Sequence, residues 1–318
     1  MRLFKLVPWA ASALFVLGAP FFLERGALND LWSLAFAVTL ASAWNLLGGF
    51  AGQVSLGYSA FLGIGAYTTA LLSLKGVDPF LTLPLGAILA AVFSVAIGLP
   101  AFRLRGPYFT IATIGVGEAV RVCAASVSFT GGSSGLRMPA GSFDFNRNYF
   151  SMVILAILTV ALAAYVKRSA LGRALAAIKQ DIDAAEALGV NSTRSKLIAH
   201  ALSAAVVAVA GSLYAINFQY IAPGSVFDFQ LSLSVVLMPI IGGVGTVLGP
   251  VLGALIVSTL QIKLLTMPAL RDSFLFIYGG LLILVMLYEP NGLVGIGRRI
   301  WARFSRATRS TTGVVDAG

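Results

Sequence analysis

The chain has 318 residues, of which 58% are hydrophobic and only 11% charged, with a formal charge of +10 and a mean hydropathy of +0.91. Soluble domains carry about 45–50% apolar and about 25% charged residues, so this chain has too few polar side chains to cover a water-facing surface and reads as an integral membrane protein. A single cysteine, Cys123, and a single histidine, His200, exclude an internal disulfide framework and a thiolate metal cluster.

A bilayer crossing needs about 20 mostly apolar helical residues. The first such run, 6–23, follows Arg2 and Lys5 and reads as an uncleaved span, because it is long for a signal peptide and further spans follow at once. Further runs lie at 31–50, 54–74, 80–102, 108–127, 149–166, 197–218, 231–262 and 274–288. They are continuous rather than alternating, which argues for helices and against a membrane barrel. The fold class expected is all-α and polytopic, with roughly 8–10 transmembrane helices and broken or re-entrant glycine-rich segments. The membrane body is assigned to 1–297, with the loop 167–196 inside it, and a basic tail to 298–318.

Half of the 22 basic residues fall in two short segments. Lys167, Arg168, Arg173, Lys179, Arg194 and Lys196 lie in 167–196, and Arg298, Arg299, Arg303, Arg306 and Arg309 in the tail. Charge placed in this way between apolar runs is a topology signal rather than a nucleic-acid footprint. The positive-inside rule puts both segments, the amino terminus and the Arg103–Arg105 turn in the cytoplasm. Trp301 and Phe304 are expected to anchor the tail at the interface. Parity from one end to the other then requires 231–262 to make two short passes. That run is too long for one straight crossing, and Gly242, Gly243, Gly245, Gly249 and Pro250 break it.

Two stretches are dense in glycine at membrane depth, 48–57 and 242–253. Irregular backbone survives there only where protein or a water-filled cavity satisfies it. Such interrupted segments point to a transport pathway. Asn45, Gly52, Gln53, Ser55 and Gly57 are the pathway candidates of the first stretch. In the second, Gly245, Gly249 and Gly253 read as a close-packing helix face. Glu118 and Arg121 are an oppositely charged pair inside an apolar run, and their i, i+3 spacing places them on one helix face. A structural ion pair is the favoured reading; an ion-coupled secondary carrier using Glu118 is the competing one. His200 and Cys123 lack companions at ligand spacing and read as packed residues.

Residues 170–190 place Leu171, Leu175, Ile178 and Ile182 on one stripe and Arg173, Lys179, Asp183 and Glu186 off it. A short amphipathic helix closed by Gly189 is expected. It lies on the membrane surface or docks on a partner.

Asp183-Ala184-Ala185-x-x-x-Gly189 resembles the coupling motif of ABC-importer permeases, with Asp for the leading Glu and without the Ile-x-Leu-Pro that follows it in that motif. Longer strings are similar to M-type permeases for branched-chain amino acids. These are Trp44-Asn45-Leu46-Leu47-Gly48-Gly49-Phe50-Ala51-Gly52-Gln53-Val54-Ser55-Leu56-Gly57, Phe61 to Tyr67, Gly106 to Thr113, Thr130 to Leu136, Ser169 to Ala174 and Gly242 to Pro250. The resemblance implies an inner-membrane permease subunit of an ABC importer, with ATPase coupling at Asp183, Ala184, Ala185, Glu186 and Gly189. Its implied partners are a second, H-type permease, two ABC ATPase subunits, a periplasmic solute-binding protein and membrane lipid. Related families carry urea or short-chain amides. The chain contains no phosphate loop and no Gly-Lys pair. ATP and magnesium are therefore expected on the partner ATPases, with no cofactor and no catalysis on this chain.

Overall fold

A computed structural model describes residues 18–139 and 143–266, with isolated positions and short runs between 276 and 295. Most of the expected first crossing, the expected crossing at 274–288 and the basic tail lie outside the described residues.

The described chain is helical. Helix α1 (Arg25–Trp44) runs into one turn of π-helix at Asn45–Gly49, then into extended backbone up to Gly57. α2 spans Tyr58–Ser73, α3 Leu83–Ala101, α4 Pro107–Ser126 and α5 Phe145–Arg168. Two short helices follow, α6 (Ala170–Gln180) and α7 (Ile182–Ala187). α8 (Ser192–Phe218) leads through the single turn α9 (Pro223–Val226) into α10 (Phe229–Gly242) and α11 (Leu248–Thr266). The strand pairing among the described residues is one antiparallel patch, Leu136 opposite Ile221 and Arg137 opposite Tyr220.

Among the described residues, six helical stretches are long and apolar enough to cross a bilayer: Arg25–Gly49, Pro79–Ala101, Pro107–Ser126, Phe145–Arg168, Ser192–Phe218 and Pro223–Gly242. The expected crossing at 54–74 differs from this. Its helix has 16 residues, about 24 Å at 1.5 Å per residue, because the backbone before it is extended. Hydropathy could not reveal that, since extended and helical residues here are equally apolar.

α8 is the central post. It packs along α2 and α3 and also touches α1, α5 and α6. The α2–α8 crossing is close because glycine faces backbone on both sides: a Cβ on Gly65 would lie 1.9 Å from the Ala208 carbonyl oxygen, and one on Gly211 2.0 Å from that of Leu62. Polar side chains join the same helices. Tyr58 and Ser203 share a hydrogen bond of 2.8 Å, Ser203 donates to the Ala43 carbonyl at 2.5 Å, and Ser212 donates to the Gly65 carbonyl at 3.0 Å. In a bilayer such bonds and close backbone approach replace the hydrophobic drive between helices. His200 is buried here among Phe61, Phe102 and Tyr58, with ring centroids 5.1, 5.6 and 6.4 Å away.

The run 231–262 breaks as its glycines and parity required. α10 ends at Gly242, the chain turns, and α11 packs back against it. Gly249 and Gly253 provide the contact, their Cα atoms lying against the Gly243 and Met238 carbonyls. Gly245 is a correction to the expected three-glycine face. It sits in the turn with φ of +77°, so it belongs to the loop and not to the helix.

Candidate functional site: the glycine junction and the coupling segment

The two glycine-dense stretches meet. Asn45 is fully buried, and its amide spans the gap to the α10–α11 turn. Nδ2 donates to the Thr246 carbonyl at 2.8 Å, and Oδ1 accepts from the Gly245 N–H at 2.9 Å. Gly49 leaves the room this clamp needs, for a Cβ there would sit 1.8 Å from the Asn45 Oδ1. The π turn and the broken hairpin are thereby held edge to edge.

Beyond Gly49 the extended backbone is satisfied by neighbouring side chains rather than by a helix of its own. Thr110 donates to the Val54 carbonyl at 2.8 Å and the Leu56 N–H donates to Thr113 Oγ1 at 3.0 Å. The Trp44 indole donates to the Ser55 carbonyl at 3.0 Å, and the Ser59 N–H donates to the Ser232 hydroxyl at 2.9 Å. Irregular backbone at membrane depth is stable only with such partners. Thr110 and Thr113 carry this role from α4 and were not singled out in the sequence. Their i, i+3 spacing beside the Gly-Pro turn was the available signal.

Two lysines bind the same junction from the basic segment. Lys179 Nζ donates to the Gly49 carbonyl at 2.9 Å, and Lys167 Nζ donates to the Gly245 carbonyl at 2.7 Å. Burial lowers the pKa of the Lys179 ammonium below its ordinary value. Carbonyls at the end of a helical stretch carry partial negative charge, which is why cations settle there.

The amphipathic segment differs from expectation in two ways. It is not one helix, because Asp181 is extended (φ −156°, ψ 120°) and caps a second helix by accepting from the Ala184 N–H at 3.0 Å. Its apolar stripe does not await a cover either. Leu175 and Ile178 are buried, and Leu175 packs with Leu46, Leu47, Phe50 and Phe102 of its own chain. Gly189, with φ of +85°, closes α7: its N–H bonds the Glu186 carbonyl at 2.9 Å while the Val190 N–H bonds the Ala185 carbonyl at 3.0 Å. This is the Schellman arrangement that glycine favours.

A cavity of about 730 Å³ opens between this segment and the extended backbone. Gly52, Gln53 and Val54 form one wall, the Leu104–Pro107 turn another, and Lys179 to Asp183 the third. Asp183 reaches across to Arg105 in a two-pronged ion pair, with bonds of 2.8 and 3.1 Å, open to the surroundings. Of the pathway candidates, Gly52 and Gln53 line the cavity, whereas Asn45, Ser55 and Gly57 are buried in the framework around it. Of the coupling candidates, Asp183, Ala184 and Glu186 are exposed, and Glu186 accepts from the Ser192 hydroxyl. Ala185 is only 2% exposed and faces its own protein, so a bulky residue there would damage the permease itself. Leu188, 84% exposed, is the large apolar side chain that α7 presents outward.

Glu118 and Arg121 form their pair on α4 two turns beyond Ile111, which lines the cavity; neither is in its lining, and both remain substantially exposed.

Comparison with known proteins matches residues 27–286 to the family described as branched-chain amino acid transport system / permease component. The chain is 31% identical over 311 residues to the high-affinity branched-chain amino acid transport system permease protein LivM of Salmonella typhimurium, covering 88% of this chain and 72% of that protein. It is 26% identical over 282 residues to permease protein BraD of Pseudomonas aeruginosa, covering 80% and 90%. Permease protein LivH of Escherichia coli is 25% identical over 286 residues, again covering 80% and 90%. No solved structure matches the chain.

Proposed function

We propose, from the premise that the chain belongs to the permease family of branched-chain amino acid transport systems, that it forms one half of an import passage and takes its power stroke through α6 and α7. The observation that carries this reading is the cavity that sets Gly52 and Gln53 of the extended segment against Asp181 and Asp183 of the amphipathic segment. α7 is tied to the Leu104–Pro107 turn by the Asp183–Arg105 pair, and α6 to the π turn that precedes the extended backbone by the Lys179–Gly49 bond. Packed elements that shift as rigid bodies transmit displacement in this way.

In this reading the protein lies in a bacterial inner membrane and the basic segment 167–196 is cytoplasmic, which the charge bias supports. Two ABC ATPase subunits bind ATP and magnesium and dock on α7, while this chain performs no catalysis and holds no cofactor. A second, H-type permease completes the passage, and a periplasmic binding protein delivers the branched-chain amino acid.

The test is Leu188→Glu. Leu188 is exposed and outside the permease core, so the variant is expected to insert and fold normally. Recovery of the ATPase with the purified permease should fall about tenfold or more, as expected when a charge is forced into an apolar contact. Full ATP-driven uptake together with normal subunit recovery would show that α7 is not the docking element.

A further inference from the structure

α4 has two faces. One is engaged: Thr110 and Thr113 satisfy the extended backbone, and a Cβ on Gly117 would come within 3.8 Å of the Gly57 Cα. The other is uncovered among the described residues and carries Tyr108, Ile111, Gly115, Glu118 and Val122 at alternating spacings of three and four, a continuous helical stripe. Glu118 lies about 16 Å along a helix about 30 Å long, close to the middle of the crossing.

Arg121 Nε donates to both Glu118 carboxylate oxygens, at 3.0 and 2.9 Å, and Nη2 adds a third contact. The pair is not enclosed, for 51% of the Glu118 side chain and 37% of that of Arg121 remain exposed. Asp228, at the start of α10, is a further acid whose field reaches Arg121. Ions at this depth are costly against hydrocarbon and are found facing a polar passage or a bundle interior. Space is available beside them. A Cβ on Gly115, one turn before Glu118, would meet nothing within 4 Å, and the stripe places Ile111 and Val122, 63% and 49% exposed, on either side.

We propose that Glu118 and Arg121 are the point at which the passage recognises the zwitterion of an α-amino acid. The substrate ammonium takes the place of Arg121 at Glu118, and its carboxylate takes the place of Glu118 at Arg121. The aliphatic side chain lies over Gly115, against Ile111, with Val122 on the far side of the charged pair. Each charge exchanges one opposite partner for another, so no ion is left unpaired during entry, the condition that makes charge tolerable away from water. A neutral amide brings no opposite charges and leaves the internal pair closed. This inference rests on the permease reading above and names the residues that meet its substrate.

The experiment uses the full importer, with companion permease, ATPases and binding protein, reconstituted in vesicles and assayed for ATP-driven leucine uptake. Glu118→Gln, Arg121→Gln and the double variant should each lower uptake about tenfold to a hundredfold, the range expected for lost charged hydrogen bonds. A merely structural pair behaves differently, since removing both charges together restores what removing one destroys. Gly115→Trp fills the adjacent space and leaves the pair intact, and uptake should fall comparably in a normally assembled complex. Wild-type uptake by the double variant overturns the proposal, as does wild-type uptake or failed assembly of Gly115→Trp. A wild-type importer that takes up no leucine would refute the permease reading instead.

Discussion

Asn45→Leu is expected to destabilise the permease by about 2 kcal/mol or more, because it leaves two partly buried backbone groups without partners, at about 1 kcal/mol or more each. The groups are the Thr246 carbonyl and the Gly245 N–H, which the Asn45 amide serves together. Asn45 itself is fully buried, while the turn it clamps is partly buried, with the Lys167 and Lys179 ammonium groups close by. Asn45→Asp retains an acceptor for Gly245 but turns a carboxylate towards the Thr246 carbonyl, so it should be no milder. Thermal unfolding of the purified protein in detergent checks this, and a melting temperature unchanged in both variants would show that the clamp contributes nothing.

Gly65→Leu should be as damaging for a steric reason. Its Cβ alone would stand 1.9 Å from the Ala208 carbonyl oxygen, which is backbone and cannot swing aside. α2 and α8 would have to separate along the crossing that organises the core, undoing the Ser212 bond to Gly65 as well. Overpacking costs about 1–3 kcal/mol where a core can adjust, and more is expected here because the obstacle is a second helix. Gly211→Leu should reproduce the loss, facing the Leu62 carbonyl from the other side. Gly26→Leu is the matched control, with nothing within 4 Å of its Cβ among the described residues. Yield of folded protein after membrane extraction separates the three, and equal yields would remove the close-crossing argument.

What was legible in the sequence was what composition and periodicity encode. The apolar runs at 80–102, 108–127, 149–166 and 197–218 are each helical within a few residues of the ends expected. The break in 231–262 followed from charge parity and length, and its turn lies among the glycines that signalled it. Less visible was anything that depends on a distant partner. Glycine density flagged 48–57 as irregular, yet hydropathy drew 54–57 into the next crossing, and the side chains that satisfy this extended backbone, Thr110, Thr113 and Trp44, lie elsewhere in the chain. The stripe of Leu175 and Ile178 announced an apolar face but not what would cover it. Asp181 explains why one expected helix is two: a short acidic side chain in extended conformation starts helices better than it continues them. The candidate site was half visible for the same reason. Gly52, Gln53 and Asp183 were singled out as separate motifs, and only the fold brings them to one cavity with Arg105.

The Asn45 clamp has a consequence for how the protein is made. Its two bonds join residues 200 and 201 positions apart in the chain. At ribosomal rates of about 5–20 residues per second, α1 and its π turn emerge on the order of 10–40 s before the turn that completes the clamp. During that interval Asn45 presents an unpaired amide beside the π turn, within a membrane that offers it little water. The early helices therefore cannot reach their final packing one by one as they are synthesised. The first glycine stretch stays an open seam until the last described hairpin arrives, and the nascent protein closes from both ends of its sequence at once.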